Sequence, residues 1–243
     1  MKFNYAIVIP MANEAKEFHK FISAVQTTLD NSKNGTVYLI VDNVSKDNTL
    51  ELCEKLSAED NRFKTIWAPD NKNVVDAYLR GYREACKNKH DFIIEMDAGL
   101  SHDPSAIPMF LRVLNEGNVC AFGSRFINGG SIDDSSIKRT MISKLGTILS
   151  NILLGTKMYD TTSGYQGFHL DIVQKFIEYD FHSKAHFYQT ELRYLLRKTR
   201  YAEIPIHYRA PSPSVSQSAI LNSCWVLLYY FYRRITFNSI SIS

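Results

Sequence analysis

Residues 5–10, YAIVIP, form an unbroken apolar run rich in β-branched side chains. Four further strand-like runs, less uniformly apolar, follow at 37–41, 63–67, 92–96 and 119–123, and a stretch of helical spacing stands between each run and the next. A strand with apolar residues at consecutive positions is covered on both faces. The spacers support this reading. Residues 14–29 carry Phe18, Phe21, Ile22 and Val25 at helical intervals. Ser45 is placed to cap a helix carrying Leu50, Leu52 and Leu56. Residues 74–87 turn Ala77, Tyr78, Gly81 and Ala85 to one face, and 104–115 open a helix with Pro104. Strand–helix alternation of this kind predicts an α/β fold, a Rossmann-like single domain whose mainly parallel central sheet is flanked by helices. Functional loops are then expected at the carboxyl ends of the strands, at 11–14, 42–47, 97–102 and 124–130.

The second half changes character. A polar loop spans 126–135, a long helix 136–154 and a tight loop 160–167 (DTTSGYQG). A helix over 188–198, a strand over 202–208, a Pro/Ser-rich stretch over 210–218 and an aromatic helix over 221–234 follow. No linker separates two independent domains. The expected organisation is a first half at 1–125, a second half of the same domain at 126–218 and an aromatic segment at 219–243. The segment LNSCWVLLYYFYRR suits a helix in a bilayer interface or a dimerising helix.

Bulk properties narrow the partners. A formal net charge of +3 over 243 residues gives no reason to expect nucleic acid. Cys53, Cys86, Cys120 and Cys224 lack C-x-x-C spacing and read as reduced thiols of a cytoplasmic protein. The longest apolar run, 224–231, falls short of the roughly 20 residues that cross a bilayer. Met1-Lys2 leads straight into a strand without the layout of a signal peptide. His182 and His186 have i, i+4 spacing but no third ligand in a motif, so they are not read as a zinc site.

Several short motifs recur in one order. They are Pro10-Met-Ala-Asn-Glu14, Asp42-Asn-Val-Ser-Lys-Asp-Asn-Thr49, Asp97-Ala-Gly-Leu-Ser-His-Asp-Pro104 and Gly123-Ser-Arg125. Arg139 with Ser143, Asp160-Thr-Thr-Ser-Gly-Tyr165 and Glu203-Ile-Pro-Ile-His-Tyr-Arg209 come later. Over residues 5–209 this order resembles family 2 glycosyltransferases of the GT-A fold, and more narrowly the dolichol- or polyprenyl-phosphate sugar synthases. The resemblance implies an inverting enzyme. It would move a sugar from a nucleotide-diphosphate donor to a polyprenyl phosphate at the cytoplasmic membrane face, as a peripheral protein, a homodimer or with a membrane-anchored partner.

The resemblance also assigns residues. Pro10, Met11, Asn13, Glu14, Asp42, Asp76, Asp97, Ala98, Gly99, Glu191 and Arg209 are the implied donor-binding set, with Gln189 beside Glu191. Carboxylates in it accept hydrogen bonds from ribose hydroxyls. Where the family has Asp-x-Asp and then glutamine, this chain has Asp97, Gly99 and Ser101. Asp97 and Ser101 are thus the implied ligands of Mg²⁺ or Mn²⁺, and the replacement of the second acid by Gly99 weakens the expected dependence on metal. Asp97, Arg125, Arg139 and Ser143 are the implied catalytic group, the last three holding the acceptor phosphate. Asp160 either acts on a sugar hydroxyl, holds an arginine or closes an Asx turn. Asp103 reads as a helix N-cap, and His102 as a solvent-facing or capping residue. Two rival functions stay open: transfer to a saccharide hydroxyl, and nucleotide-sugar binding without turnover.

Overall fold

The computed structural model describes residues 3–133, 137–209 and 216–243, and of residues 137–139 the backbone alone. Its main sheet has seven strands, and the first five follow the apolar runs: β1 Tyr5–Met11, β2 Gly35–Val41, β3 Phe63–Trp67, β4 Phe92–Glu95 and β5 Cys120–Ser124. β7 Gln166–His169 and β8 Tyr201–Pro205 complete it, in the order β3-β2-β1-β4-β7-β5-β8. β6 Ser131–Ile132 and β9 His207–Tyr208 form a separate parallel pair. The helices are α1 Phe18–Asn31, α2 Thr49–Glu59, α3 Val74–Lys87, α4 Ile107–Asn115, α5 Ile137–Leu154, α6 Leu170–Phe176, α7 Tyr188–Leu195 and α8 Gln217–Ile235.

Alternate side chains of β1 enter two cores, as the pleat requires. Ala6 and Val8 join Tyr78, Tyr82, Phe168 and Tyr188 on one face. Tyr5, Ile7 and Ile9 join Phe18, Phe21 and Phe110 on the other. The expected mainly parallel sheet between helical layers is therefore present.

One strand was not foreseen. The stretch read as a tight loop to residue 167 ends in β7, which runs antiparallel between β4 and β5. β7 is four residues long and contains a glycine, too short to show a period of two. Its insertion has a consequence for the site. Because β7 runs against its neighbours, the loop that enters it, 160–165, lies at the same edge as the loops that leave β1, β2, β4 and β5. The single strand expected at 202–208 is two, β8 and β9, and α6 fills a stretch left unassigned.

Two helix starts also move. α1 begins at Phe18 instead of 14 because the preceding N–H groups are taken by the next loop. Asn13 N donates to Ser45 Oγ (3.1 Å), Glu14 N to Thr49 Oγ1 (2.9 Å) and Ala15 N to Asp47 Oδ2 (3.1 Å). Asp47, not Ser45, closes the turn into α2, its Oδ1 accepting from Thr49 N (3.1 Å) and Thr49 Oγ1 (2.6 Å). Asp103 does accept from Ser105 N (3.0 Å), as a cap should. Most of the Pro/Ser-rich stretch, 210–215, lies outside the described residues.

A polar layer is buried beneath the site. Glu95, with no exposure, accepts from the Tyr82 hydroxyl and from Gln166 Nε2 (3.2 Å) at Oε2. Its Oε1 and the buried Tyr188 hydroxyl have no hydrogen-bond partner among the described residues. Burial pushes the Glu95 carboxyl up to about 8 against the lesser, opposing pull of those hydrogen bonds. Between pH 4.5 and 8 the folded chain thus holds a proton that the unfolded chain releases, and stability falls as pH rises through that window. Glu95→Gln keeps the shape and removes the titration. Thermal unfolding of this variant followed from pH 5 to 8.5 is expected to show a shallower decline than wild type, with the variant the more stable at pH 8.5.

Candidate functional site

Asp97 follows β4 at the carboxyl edge of the sheet, its side chain 43% exposed. Two groups fix it from behind. The Tyr78 hydroxyl from α3 donates to Oδ1. That phenol stays protonated, because burial and then the Asp97 charge raise it well above its usual value. Asp97 N donates to His102 Nδ1 (3.1 Å). Since Nδ1 accepts, the imidazole is the neutral tautomer protonated at Nε2. Burial lowers the His102 pKa, opposed by the Asp97 charge. The 3.7 Å approach of Nδ1 to Asp97 Oδ2 is accordingly no ion pair. His102 is buried between Tyr165 and Tyr208 instead of facing solvent, which corrects the expectation for it. Nothing in the chain near 102 announces this, because its stacking partners come from 60 and more residues away.

Gly99 has φ +75°, a backbone that favours glycine over an aspartate. Glu14 occupies the neighbouring space, with Oε2 3.6 Å from where a Cβ at 99 would stand. Burial, then the charges of Asp47 and Asp97, raise the Glu14 pKa. Ala98 packs partly buried against the lower core. Ser101 is half-buried, and its carbonyl accepts from Arg209 N (3.2 Å). Among the described residues no group of three or more His, Cys, Asp or Glu could hold a metal. A hard cation bridging a diphosphate needs only one or two protein carboxylates, the rest of its shell being phosphate and water. The half-exposed Asp97 carboxylate fits that lesser demand.

The expected donor residues divide. Pro10 and Glu14 reach the edge, half-buried, and Asp42 lies there at 7% exposure with Oδ1 accepting from Val44 N (2.9 Å). Met11 instead points into the lower core beside Val41, because it is still within β1. Asn13, at φ 58°, ties two loops together: Oδ1 accepts from Lys46 N (2.8 Å) and Nδ2 donates to the Val44 carbonyl (3.2 Å). Asp76 sits in the first turn of α3 and accepts from Lys72 N (2.8 Å) and Asn73 Nδ2 (3.2 Å). Glu191 is fully buried and bonded by His182 N (3.0 Å), Ser183 N (2.8 Å) and the Tyr230 hydroxyl (2.7 Å), so its carboxylate clamps α8 to the 182–183 turn. Gln189 does face the site, with Nε2 3.2 Å from a Cβ position on Gly164. Arg209 is exposed and pairs with Asp103 Oδ2 at 2.6 Å.

On the acceptor side Arg125 is engaged by its neighbour. Its Nε donates to Asp160 Oδ2 (2.7 Å) and its Nη2 to Oδ1 (2.9 Å), a bidentate pair at 7% and 0% side-chain exposure. Burial alone would raise the Asp160 pKa, but the hydrogen bonds and charge of Arg125 outweigh it and the pKa falls. Asp160 Oδ1 also accepts from Thr162 N (3.0 Å), so it both holds an arginine and closes an Asx turn. The loop is pegged from both sides. Glu203 accepts from Tyr159 N (2.9 Å) and Asp160 N (3.0 Å). Fully buried Arg193, missed in the sequence, donates to the carbonyls of Asp160, Ser163 (2.9 Å) and Gly123 (3.3 Å). The same loop borders Asp97: a Cβ on Gly164 would stand 3.5 Å from Asp97 Oδ1. Ser143 lies half-exposed on α5, and the Arg139 side chain lies outside the described residues.

Comparison with known proteins agrees with this layout. The pattern of glycosyl transferase family 2 matches residues 6–177. An undecaprenyl-phosphate mannosyltransferase of Micrococcus luteus is 26% identical over 83% of this chain and 82% of its own length. A polyprenol monophosphomannose synthase of Mycolicibacterium smegmatis is 26% identical over 87% and 79%. A dolichol-phosphate mannosyltransferase of Pyrococcus furiosus is 30% identical over 70% of this chain and 47% of its own length. Among solved structures, glucosyl-3-phosphoglycerate synthase from Mycobacterium tuberculosis with uridine diphosphate superposes with a TM-score of 0.68 at 13% identity, covering 94% of this chain and 80% of that one. The same enzyme was crystallised with Mn²⁺ and with Mg²⁺. The strand order, the position of Asp97 and the match over residues 6–177 lead to one conclusion: the chain belongs to glycosyl transferase family 2 and has the GT-A fold.

Proposed function

We propose that this chain is an inverting glycosyltransferase that moves a sugar from a nucleotide-diphosphate sugar to a polyprenyl phosphate. One observation carries the reading: the 160–164 loop touches both Arg125 and Asp97, so an acid suited to a donor diphosphate and a cation suited to an acceptor phosphate lie along one loop at one edge of the sheet. The names of the curated relatives, all synthases of polyprenyl- or dolichyl-phosphate sugars, support the acceptor class.

The chemistry needs little from the protein beyond placement and charge. A phosphate ester is already ionised near neutral pH, so no residue has to remove its proton. Its oxygen attacks the anomeric carbon from the face opposite the diphosphate, the bond to the diphosphate breaks, and the departing oxygen keeps the electron pair. Arg125, with Arg139 and Ser143, orients the attacking phosphate. Asp97, with Ser101, would hold Mg²⁺ or Mn²⁺. A cation bound there supplies neutralisation of the charge on the leaving group. Tyr78 holds the Asp97 carboxylate, and His102 holds its backbone N–H. Glu14 and Asp42 accept from the nucleotide ribose. Alignment and fixed charge then account for most of the acceleration.

The acceptor is a membrane lipid, and two adjacent helices suit it. α5 exposes Met141, Leu145, Ile148 and Ile152, and α8 exposes Leu221, Trp225, Leu228 and Tyr232. Arg234 of α8 locks them together by donating Nη1 to the Ile152 (2.8 Å) and Leu153 (2.9 Å) carbonyls at the end of α5. Neither helix contains an acid. An apolar, basic face of this kind suits an anionic bilayer surface. Among the described residues no helix is long and apolar enough to cross a membrane.

Incubation of a panel of nucleotide-diphosphate sugars with undecaprenyl phosphate, with and without added Mg²⁺ or Mn²⁺, tests the reading. One sugar should pass to the lipid with inverted configuration. Transfer to saccharide hydroxyls instead, or donor binding without transfer to any acceptor, refutes it. Asp97→Asn should cut kcat by about a hundredfold or more, in keeping with the loss of a main electrostatic group. Arg125→Lys cannot reproduce the bidentate pair, and its KM for the lipid should rise about tenfold or more while its KM for the donor stays within about threefold.

A further inference from the structure

Arg125 cannot alone attract the acceptor. Its guanidinium and the Asp160 carboxylate neutralise one another, and such a pair offers an anion hydrogen bonds but little net charge. A monoalkyl phosphate brings close to two negative charges near neutral pH. Besides Arg139, whose side chain lies outside the described residues, a further cation without a carboxylate partner stands nearby. Lys144, exposed on α5, places Nζ 5.5 Å from the centroid of the Phe126 ring, and Arg125 Cζ lies 5.2 Å from the same centroid. Phe126 directly follows Arg125 at the end of β5. Among the described residues no carboxylate pairs with Lys144, whose Nζ rests over the Phe126 ring. An exposed ammonium–ring contact is among the weaker ones a lysine makes, and a phosphate oxygen readily displaces it.

The placement on α5 gives Lys144 a second qualification. Met141 and Ile148 lie three residues before and four after it, so all three share one face of the helix. Met141 and Ile148 are exposed, as are Leu145 and Ile152. Lys144 therefore interrupts an exposed apolar stripe where that stripe meets the Phe126 ring and the cleft. A molecule with an ionised head and a long apolar tail matches this order of features; a saccharide does not.

We propose that Lys144 binds the acceptor phosphate, leaving Phe126 to supply the net positive charge that the Arg125–Asp160 pair lacks, and so helps select lipid phosphates over saccharide hydroxyls. The proposal rests on the lipid-phosphate reading above. Lys144→Met keeps the unbranched stem and helix propensity, and Lys144→Arg keeps the charge. The probe is a short-chain, water-soluble isoprenyl phosphate, which removes membrane recruitment from the measurement. Relative to wild type, Lys144→Met should raise KM for this probe about tenfold, with kcat within about twofold and donor KM unchanged, and Lys144→Arg should recover most of the loss. Calorimetric binding of the probe should weaken in parallel. If Lys144→Met binds and uses the probe like wild type, the proposal fails while the lipid-phosphate reading stands, including the case in which only binding to anionic vesicles weakens. If wild type neither binds nor glycosylates any isoprenyl phosphate, both fail.

Discussion

The buried pair between Arg125 and Asp160 is the constraint around which the site is arranged. A guanidinium and a carboxylate removed from water are costly unless both are bonded in good geometry. Here the geometry is bidentate, and the cost is met by fixing the loop that bears the acid. Glu203 takes its N–H groups and Arg193 its carbonyls, so residues 159–163 have few backbone groups left to move. Holding that loop also holds Gly164 against Asp97. Asp97 and Arg125 are in this way referenced to one rigid segment.

Much of the first 125 residues was legible in the chain. Tyr5–Pro10 and Val37–Val41 are apolar at consecutive positions, and the alternation of the five strand-like runs with helical spacing leaves one class of fold. Asp97 stood out as an acid at the end of the run Phe92–Met96, where a strand meets the loop edge. Glu14 and Asp42 fell at the correct edge once the strands were placed.

Other features could not be read because they are set by partners distant in sequence. His102 is buried by Tyr165 and Tyr208, and its role follows from their rings. Arg193 on α7 looks like one more surface cation until β5 and the 160–163 loop close around it. Glu191 and Asp76 carry the right charge for a ligand but spend it on turns within the fold. Met11 shows the limit of a motif read without a register: one residue more of strand turns its side chain from the cleft to the core. β7 was invisible for want of length.

The insertion of β7 also bears on how such a chain comes to be folded. β4 and β5 never touch as a ladder; each waits for residues 166–169 to lie between them. A nascent chain that has emerged only as far as β5 therefore has an open edge on β4 and a fifth strand with nowhere to pair, the exposed condition that invites wrong partners. The two halves drawn in the sequence are thus not units of assembly. On the ribosome the sheet of the first half stays incomplete until some forty residues of the second have followed it out.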